Sequence, residues 1–182
     1  MRIIAGTARG RPLLGPKTQE IRPTSDRVRE TLFNVLGQWV EGRVLDLYAG
    51  TGALGLEALS RGAERAVLVD AGREAQRLIA KNIEGLGFTG RAELLCMPAD
   101  RGLDLLERRR DSFGLVFADP PYGLRAAAWL LERLAESPLL APGATVLIET
   151  DKREEAPQSA ALPEIDERRF GDTRVRLYRR PA

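Results

Sequence analysis

The chain has 182 residues, 43% of them apolar and 30% charged, the size and make-up of one globular domain with a sizeable core. It contains no histidine, which excludes Ser-His-Asp and Cys-His catalysis and most zinc sites, so no metal is expected. Its single cysteine, Cys96, excludes an internal disulfide.

The net charge of +2 hides an uneven distribution. Residues 1–43 carry net +4, residues 44–167 net −7 and residues 168–182 net +5. Basic ends around an acidic middle suit a polyanion held by the ends of the chain. No apolar run approaches the roughly 18 residues that span a bilayer. The opening Met1–Gly6 lacks the apolar core of a signal peptide. The expectation is a cytoplasmic protein without a membrane partner and, as the simplest state, a monomer.

Residues 1–42 precede the first strand pattern and read as an amino-terminal extension to a main unit over residues 43–182, the two forming one compact body. Gly6, Gly10, Pro12, Gly15 and Pro16 make its first half turn-rich, with room for a small hairpin. Ser25 then offers a cap to a helix over residues 26–36, with Val28, Leu32, Val35 and Leu36 on one face. Arg9, Arg11, Arg22 and Arg27 in this extension are the candidate nucleic-acid contacts.

From Arg43 onward short apolar runs alternate with amphipathic ones. Strands are predicted over residues 43–47, 66–70, 92–97, 113–118 and 144–149. Helices are predicted over residues 54–60, 74–86, 103–110 and 126–135. Cys96, in an apolar run, reads as a buried strand thiol. Such alternation gives α/β architecture, with a parallel sheet covered on both faces. Residues 154–163, rich in alanine and proline, read as a loop or frayed helix. Residues 165–170 and 174–178 flank Gly171-Asp172-Thr173 and read as an antiparallel hairpin added to the sheet.

The first strand runs into Asp46-Leu47-Tyr48-Ala49-Gly50-Thr51-Gly52-Ala53-Leu54-Gly55. Residues 50–55 match Gly-x-Gly-x-x-Gly, and Asp70 follows at the distance of a ribose-binding acid, so a dinucleotide fingerprint is formally satisfied. Asp46 argues against it. A carboxylate facing that loop repels a diphosphate and attracts an ammonium group. S-adenosylmethionine has an ammonium and no phosphate. The candidate cofactor contacts are Asp46, Tyr48, Ala49, Gly50, Thr51 and Gly52, with Asp70 for the ribose hydroxyls and Asp100 for the adenine amino group.

The fourth strand ends in Asp119-Pro120-Pro121-Tyr122. Two prolines stop the strand and stiffen the turn. An exocyclic amine on an aromatic base is a poor nucleophile, because its lone pair is delocalised into the ring. Two acceptors aimed at its hydrogens favour a pyramidal nitrogen. The Asp119 carboxylate and the Pro120 carbonyl can be those acceptors. Pro121 holds the turn, and Tyr122 offers a face for the base, which must leave its own stack to reach the site.

These motifs, with Ile21-Arg22-Pro23-Thr24-Ser25-Asp26-Arg27-Val28-Arg29-Glu30-Thr31-Leu32-Phe33-Asn34 before them and Leu45–Ala63 around the glycine loop, resemble those of the bacterial small-subunit ribosomal RNA guanine-N2 methyltransferases. The resemblance covers nearly the whole chain. It implies a Rossmann-like class I methyltransferase fold, a seven-stranded, mostly parallel sheet closed by an antiparallel hairpin. It also implies transfer of a methyl group from S-adenosylmethionine to N2 of one guanine in 16S rRNA, within an assembled or assembling 30S subunit. Asp70 departs from the pattern, since glutamate is expected there in many relatives. Alternatives are a DNA adenine N6 methyltransferase, a protein glutamine methyltransferase, and an RNA-binding protein keeping an inactive fold. The DNA enzyme usually needs a target-recognition segment for which there is no spare length, and the glutamine enzyme typically has asparagine at position 119.

Overall fold

The structure, a computed structural model, describes residues 1–16, 26–121 and 125–182, without the side chain of Gln38. Within these residues the chain forms helices α1 (Asp26–Leu36), α2 (Ala53–Arg61), α3 (Arg73–Leu86), α4 (Ala99–Arg108) and α5 (Ala126–Ala135). The strands are β1 (Arg43–Leu47), β2 (Arg65–Asp70), β3 (Ala92–Cys96), β4 (Phe113–Ala118), β5 (Leu140–Asp151), β6 (Glu164–Phe170) and β7 (Thr173–Arg179). They build one seven-stranded sheet in the order β3-β2-β1-β4-β5-β7-β6. The first five strands are parallel, and β7 joins β5 and β6 antiparallel. This is the α/β architecture, with its carboxy-terminal hairpin, expected from the sequence.

Alternation along the central strands divides the core in two. Val44, Leu68, Leu115 and Phe117 point to the face covered by α1, α2 and α3. Leu45, Leu47, Val67, Val69, Val116 and Ala118 point to the face covered by α4 and α5. Successive strand residues therefore bury into opposite helix layers, which explains why these strands read as continuous apolar runs. No helix of the described residues is long and apolar enough to cross a membrane.

The beginning of the chain is a small antiparallel loop, with a bridge between Arg2 and Pro12. It is tied to α2 by two buried acceptors. Glu57, fully buried, accepts the N–H groups of Ile4 at 2.8 Å and Ala5 at 3.0 Å. Ser60 Oγ accepts the N–H of Ala8 at 2.9 Å. Gly6 lies against this helix, where a Cβ would fall 1.8 Å from the Ser60 carbonyl oxygen, and its φ of +82° suits only glycine. Gly6→Ala is therefore expected to lower the thermal midpoint, with a loss of about 2 kcal/mol or more. An unchanged melting curve would mean that the amino-terminal loop docks elsewhere.

Three sequence readings need correction. Cys96 is exposed rather than buried, because it ends β3, the edge strand of the sheet, and only β2 lies beside it. The fourth helix begins at Ala99, four residues before the predicted start. Gly102 in its first turn weakens the helical signal in sequence. In space it allows close packing, since a Cβ there would lie 2.8 Å from Val69 Cγ1. The fifth strand is also longer than predicted, running through Pro142 and Gly143 beside an irregularity in its pairing with β4.

Candidate active site

The order of the sheet places β1 between β2 and β4, so successive connections leave β1 in opposite directions. Ligands of such sheets bind at this switch point, beyond the carboxyl ends of the strands. Asp46, Asp70 and Asp119 all reach that edge.

Asp46 lies in β1 and points to the α2 face, beneath the glycine loop. It is 3% exposed, and its Oδ2 accepts the N–H of Gly55 at 2.8 Å. Burial pushes its carboxyl up from 3.8 to about 8; the Gly55 bond opposes the shift, and the charges of Asp70 and Asp119 add to it. The carboxyl therefore keeps its proton at neutral pH unless a cation beside it favours the ionised form. Gly55 is matched to this acid, since a Cβ at that position would come 3.1 Å from Oδ2.

Asp70, at the end of β2, grips the loop from the other side. Its Oδ2 accepts the N–H of Gly50 at 2.8 Å and its Oδ1 that of Gly72 at 2.8 Å. Each oxygen keeps a lone pair for a further donor such as a ribose hydroxyl. Gly52 caps α2 with φ of +77°, and Leu68 Cδ2 lies 3.0 Å from where its Cβ would be. A larger residue would lift the loop off β2. The Ala49 N–H reaches Val69 O at 3.1 Å, and the Thr51 carbonyl accepts from Asn82 Nδ2 at 2.9 Å. Asn82, buried on α3, also accepts the N–H of Leu14, so it joins the glycine loop to the beginning of the chain. Sequence reasoning missed it, because only the apolar period of α3 carried weight there.

Tyr48 holds a left-handed backbone, φ 57°, which is uncommon for a bulky residue. Such outliers cluster at ligand sites. It lines a cavity of about 430 Å³ with Val69, Asp70, Pro98, Asp100 and Trp129. Burial, with Asp100 as second cause, raises its phenol above the ordinary value. Asp100 stands exposed in the first turn of α4 rather than in a loop. The cavity thus has acids at two edges and apolar surface between them, the make-up of a nucleoside pocket. Trp129 was absent from the sequence reading, hidden in an alanine-rich helix.

Asp119 follows β4, half-buried, with its N–H 3.5 Å from Leu47 O. Pro120 is buried and Pro121 exposed. Tyr122 lies outside the described residues, as does Arg22. Of the other candidate nucleic-acid contacts, Arg9, Arg11 and Arg27 are all exposed. Arg11 also has partners within the protein. Its guanidinium donates to the carbonyls of Gly85 and Leu86, capping the end of α3.

The conserved hypothetical protein 95 family profile matches residues 1–179. Ribosomal RNA small subunit methyltransferase D of Escherichia coli (strain K12) is 36% identical over 184 residues, covering 100% of this chain and 91% of the relative. Its namesake in Haemophilus influenzae is 35% identical, covering 98% of this chain and 93% of the relative. A solved Escherichia coli structure, provisionally described as a methyltransferase, superposes with TM-score 0.87 at 35% identity, covering 100% of this chain and 98% of its own. A conserved hypothetical protein from Streptococcus pyogenes gives TM-score 0.77 at 41% identity, over 84% of this chain and 95% of its own.

Proposed function

The chain belongs to the conserved hypothetical protein 95 family, and from that membership and its site we propose that it methylates ribosomal RNA, at N2 of a guanine in the 16S molecule of the small subunit. The observation that carries the cofactor class is the use of the loop amides. In a dinucleotide site these N–H groups would face a pyrophosphate. Here Asp46 takes Gly55 and Asp70 takes Gly50. With those amides taken, a diphosphate lacks its donors, and an ammonium beside Asp46 favours the ionised carboxylate.

S-adenosylmethionine supplies an electrophilic methyl on a sulfonium. The protein does the rest by placement. Asp46 and Asp70 fix the amino-acid and ribose parts, and Asp100 borders the adenine. Asp119 and the Pro120 carbonyl accept from the two hydrogens of the guanine amine, and Tyr122 stacks on the base. As the new N–C bond forms, the C–S bond breaks and its electron pair stays on sulfur. The methylated nitrogen then releases one proton. That cationic nitrogen is strongly acidic, so no histidine is needed.

Arg9 and Arg27 are proposed to meet RNA phosphates. Replacing both with alanine should weaken binding to small subunits and lower the slope of log K against log salt by roughly one to two. An unchanged slope would remove them from the interface. The cofactor class is tested by calorimetry with S-adenosylhomocysteine and with NAD. Binding of the first alone is expected, and binding of NAD alone would overturn the reading.

A further inference from the structure

Trp129 is 39% exposed, one of three large apolar side chains in that state among the described residues. It is not among the buried residues of α5, which are Ala127, Leu130, Leu131 and Leu134. Its indole instead lines two spaces. One is the cavity of about 430 Å³ shared with Tyr48, Asp70, Pro98 and Asp100. The other is a groove of about 820 Å³ between the start of α5 and residues Glu154–Gln158. Trp129 is the wall between them.

We propose that Trp129 packs its indole against the adenine of the cofactor and closes the nucleoside cavity from the neighbouring groove. The inference rests on the cofactor reading above. Besides Trp129, the apolar lining of the cavity is Val69, Ala71, Pro98 and Ala99, and its polar lining is Tyr48, Asp70 and Asp100. A flat heteroaromatic ring in this cavity would meet apolar surface that includes Pro98 and the Trp129 indole, with carboxylates in the same lining for its polar edge. An indole left half in water gains most from such a partner.

The position of Trp129 in the chain adds a consequence. Its N–H donates to the Arg125 carbonyl at 2.9 Å, so it rides on the first turn of the helix that follows Asp119-Pro120-Pro121-Tyr122. Arg125 itself has φ 59°, a constrained start to that helix. A cofactor contact at Trp129 therefore reaches the segment that presents the acceptors to the base.

The chain has two tryptophans, and the other, Trp39, lies under the Arg179 guanidinium at 4.6 Å and packs in the opposite helix layer. In a Trp39→Phe background, S-adenosylhomocysteine should quench or shift the emission of Trp129. By calorimetry, Trp129→Ala should raise the Kd for S-adenosylhomocysteine and for adenosine by roughly tenfold, the weight of one base–aromatic stack. Trp129→Phe, which keeps an aromatic face, should stay within about threefold. Both side chains are surface changes on α5, so thermal midpoints without ligand should match the parent. Unchanged emission on binding, with parental affinity in Trp129→Ala, would overturn this inference and leave the proposed function standing. Failure of the parent protein to bind S-adenosylhomocysteine would overturn both.

Discussion

Replacing Asp119 with alanine is expected to leave affinity for S-adenosylhomocysteine within about threefold of the parent and to slow methyl transfer by at least about a hundredfold. The expectation follows from where Asp119 stands. It leaves β4 at the switch point, and its carboxylate is not among the residues lining the nucleoside cavity. Its effect on the cofactor is thus mainly through charge. In the proposed mechanism its effect on the reaction is direct, as one of two acceptors that turn the amine lone pair toward the methyl group. Asp119→Asn should lose activity to a similar extent, because the amide cannot supply a charged acceptor. The measurement is single-turnover transfer to small subunits alongside calorimetry of the product cofactor. Full activity in Asp119→Ala would remove the acceptor mechanism.

Asp46 should make cofactor binding depend on pH. With its carboxyl at about 8 in the folded protein against 3.8 ordinarily, it is protonated at neutral pH. An ammonium beside it favours the ionised form. Binding below pH 8 should therefore release a proton, and affinity should climb with pH by up to about tenfold per unit between pH 6 and 8. The stability of the ligand-free protein runs the other way. Between pH 4 and 8 the folded chain holds a proton that the unfolded chain gives up. That stabilisation is full below the unfolded value of 3.8, shrinks as pH rises, and is exhausted above 8. Asp46→Asn keeps an oxygen for the Gly55 N–H while removing the charge. It should bind S-adenosylhomocysteine more weakly, lose the pH slope, and melt higher than the parent at pH 8.5. Calorimetry in two buffers of different ionisation enthalpy counts the proton directly. Parental affinity in Asp46→Asn with no proton released would show that the ammonium lies elsewhere.

Much of this arrangement was legible in the sequence because it is written in local patterns. The runs around Leu45, Val67 and Val116 announce strands buried on both faces, and the glycines at 50, 52 and 55 announce a loop approached closely by other groups. What was not legible depends on where elements meet. Nothing near Arg11 indicates that its guanidinium will cap α3, some seventy residues away in the chain. Asn82 is one polar residue in an amphipathic helix until the fold sets it beneath Thr51. Trp129 reads as part of an ordinary covering helix, and only the placement of α5 beside α4 brings it to the cavity. Cys96 shows the converse. Its neighbours in sequence are apolar, but its place at the end of an edge strand leaves it exposed.

The most direct test of the account is transfer of a labelled methyl group from S-adenosylmethionine to unmethylated small subunits, naked 16S rRNA and DNA, compared side by side, with nucleoside analysis of the product. The account predicts N2-methylguanosine as the labelled nucleoside, formed on small subunits. N6-methyladenine from DNA, or no label in any nucleic acid, would contradict it.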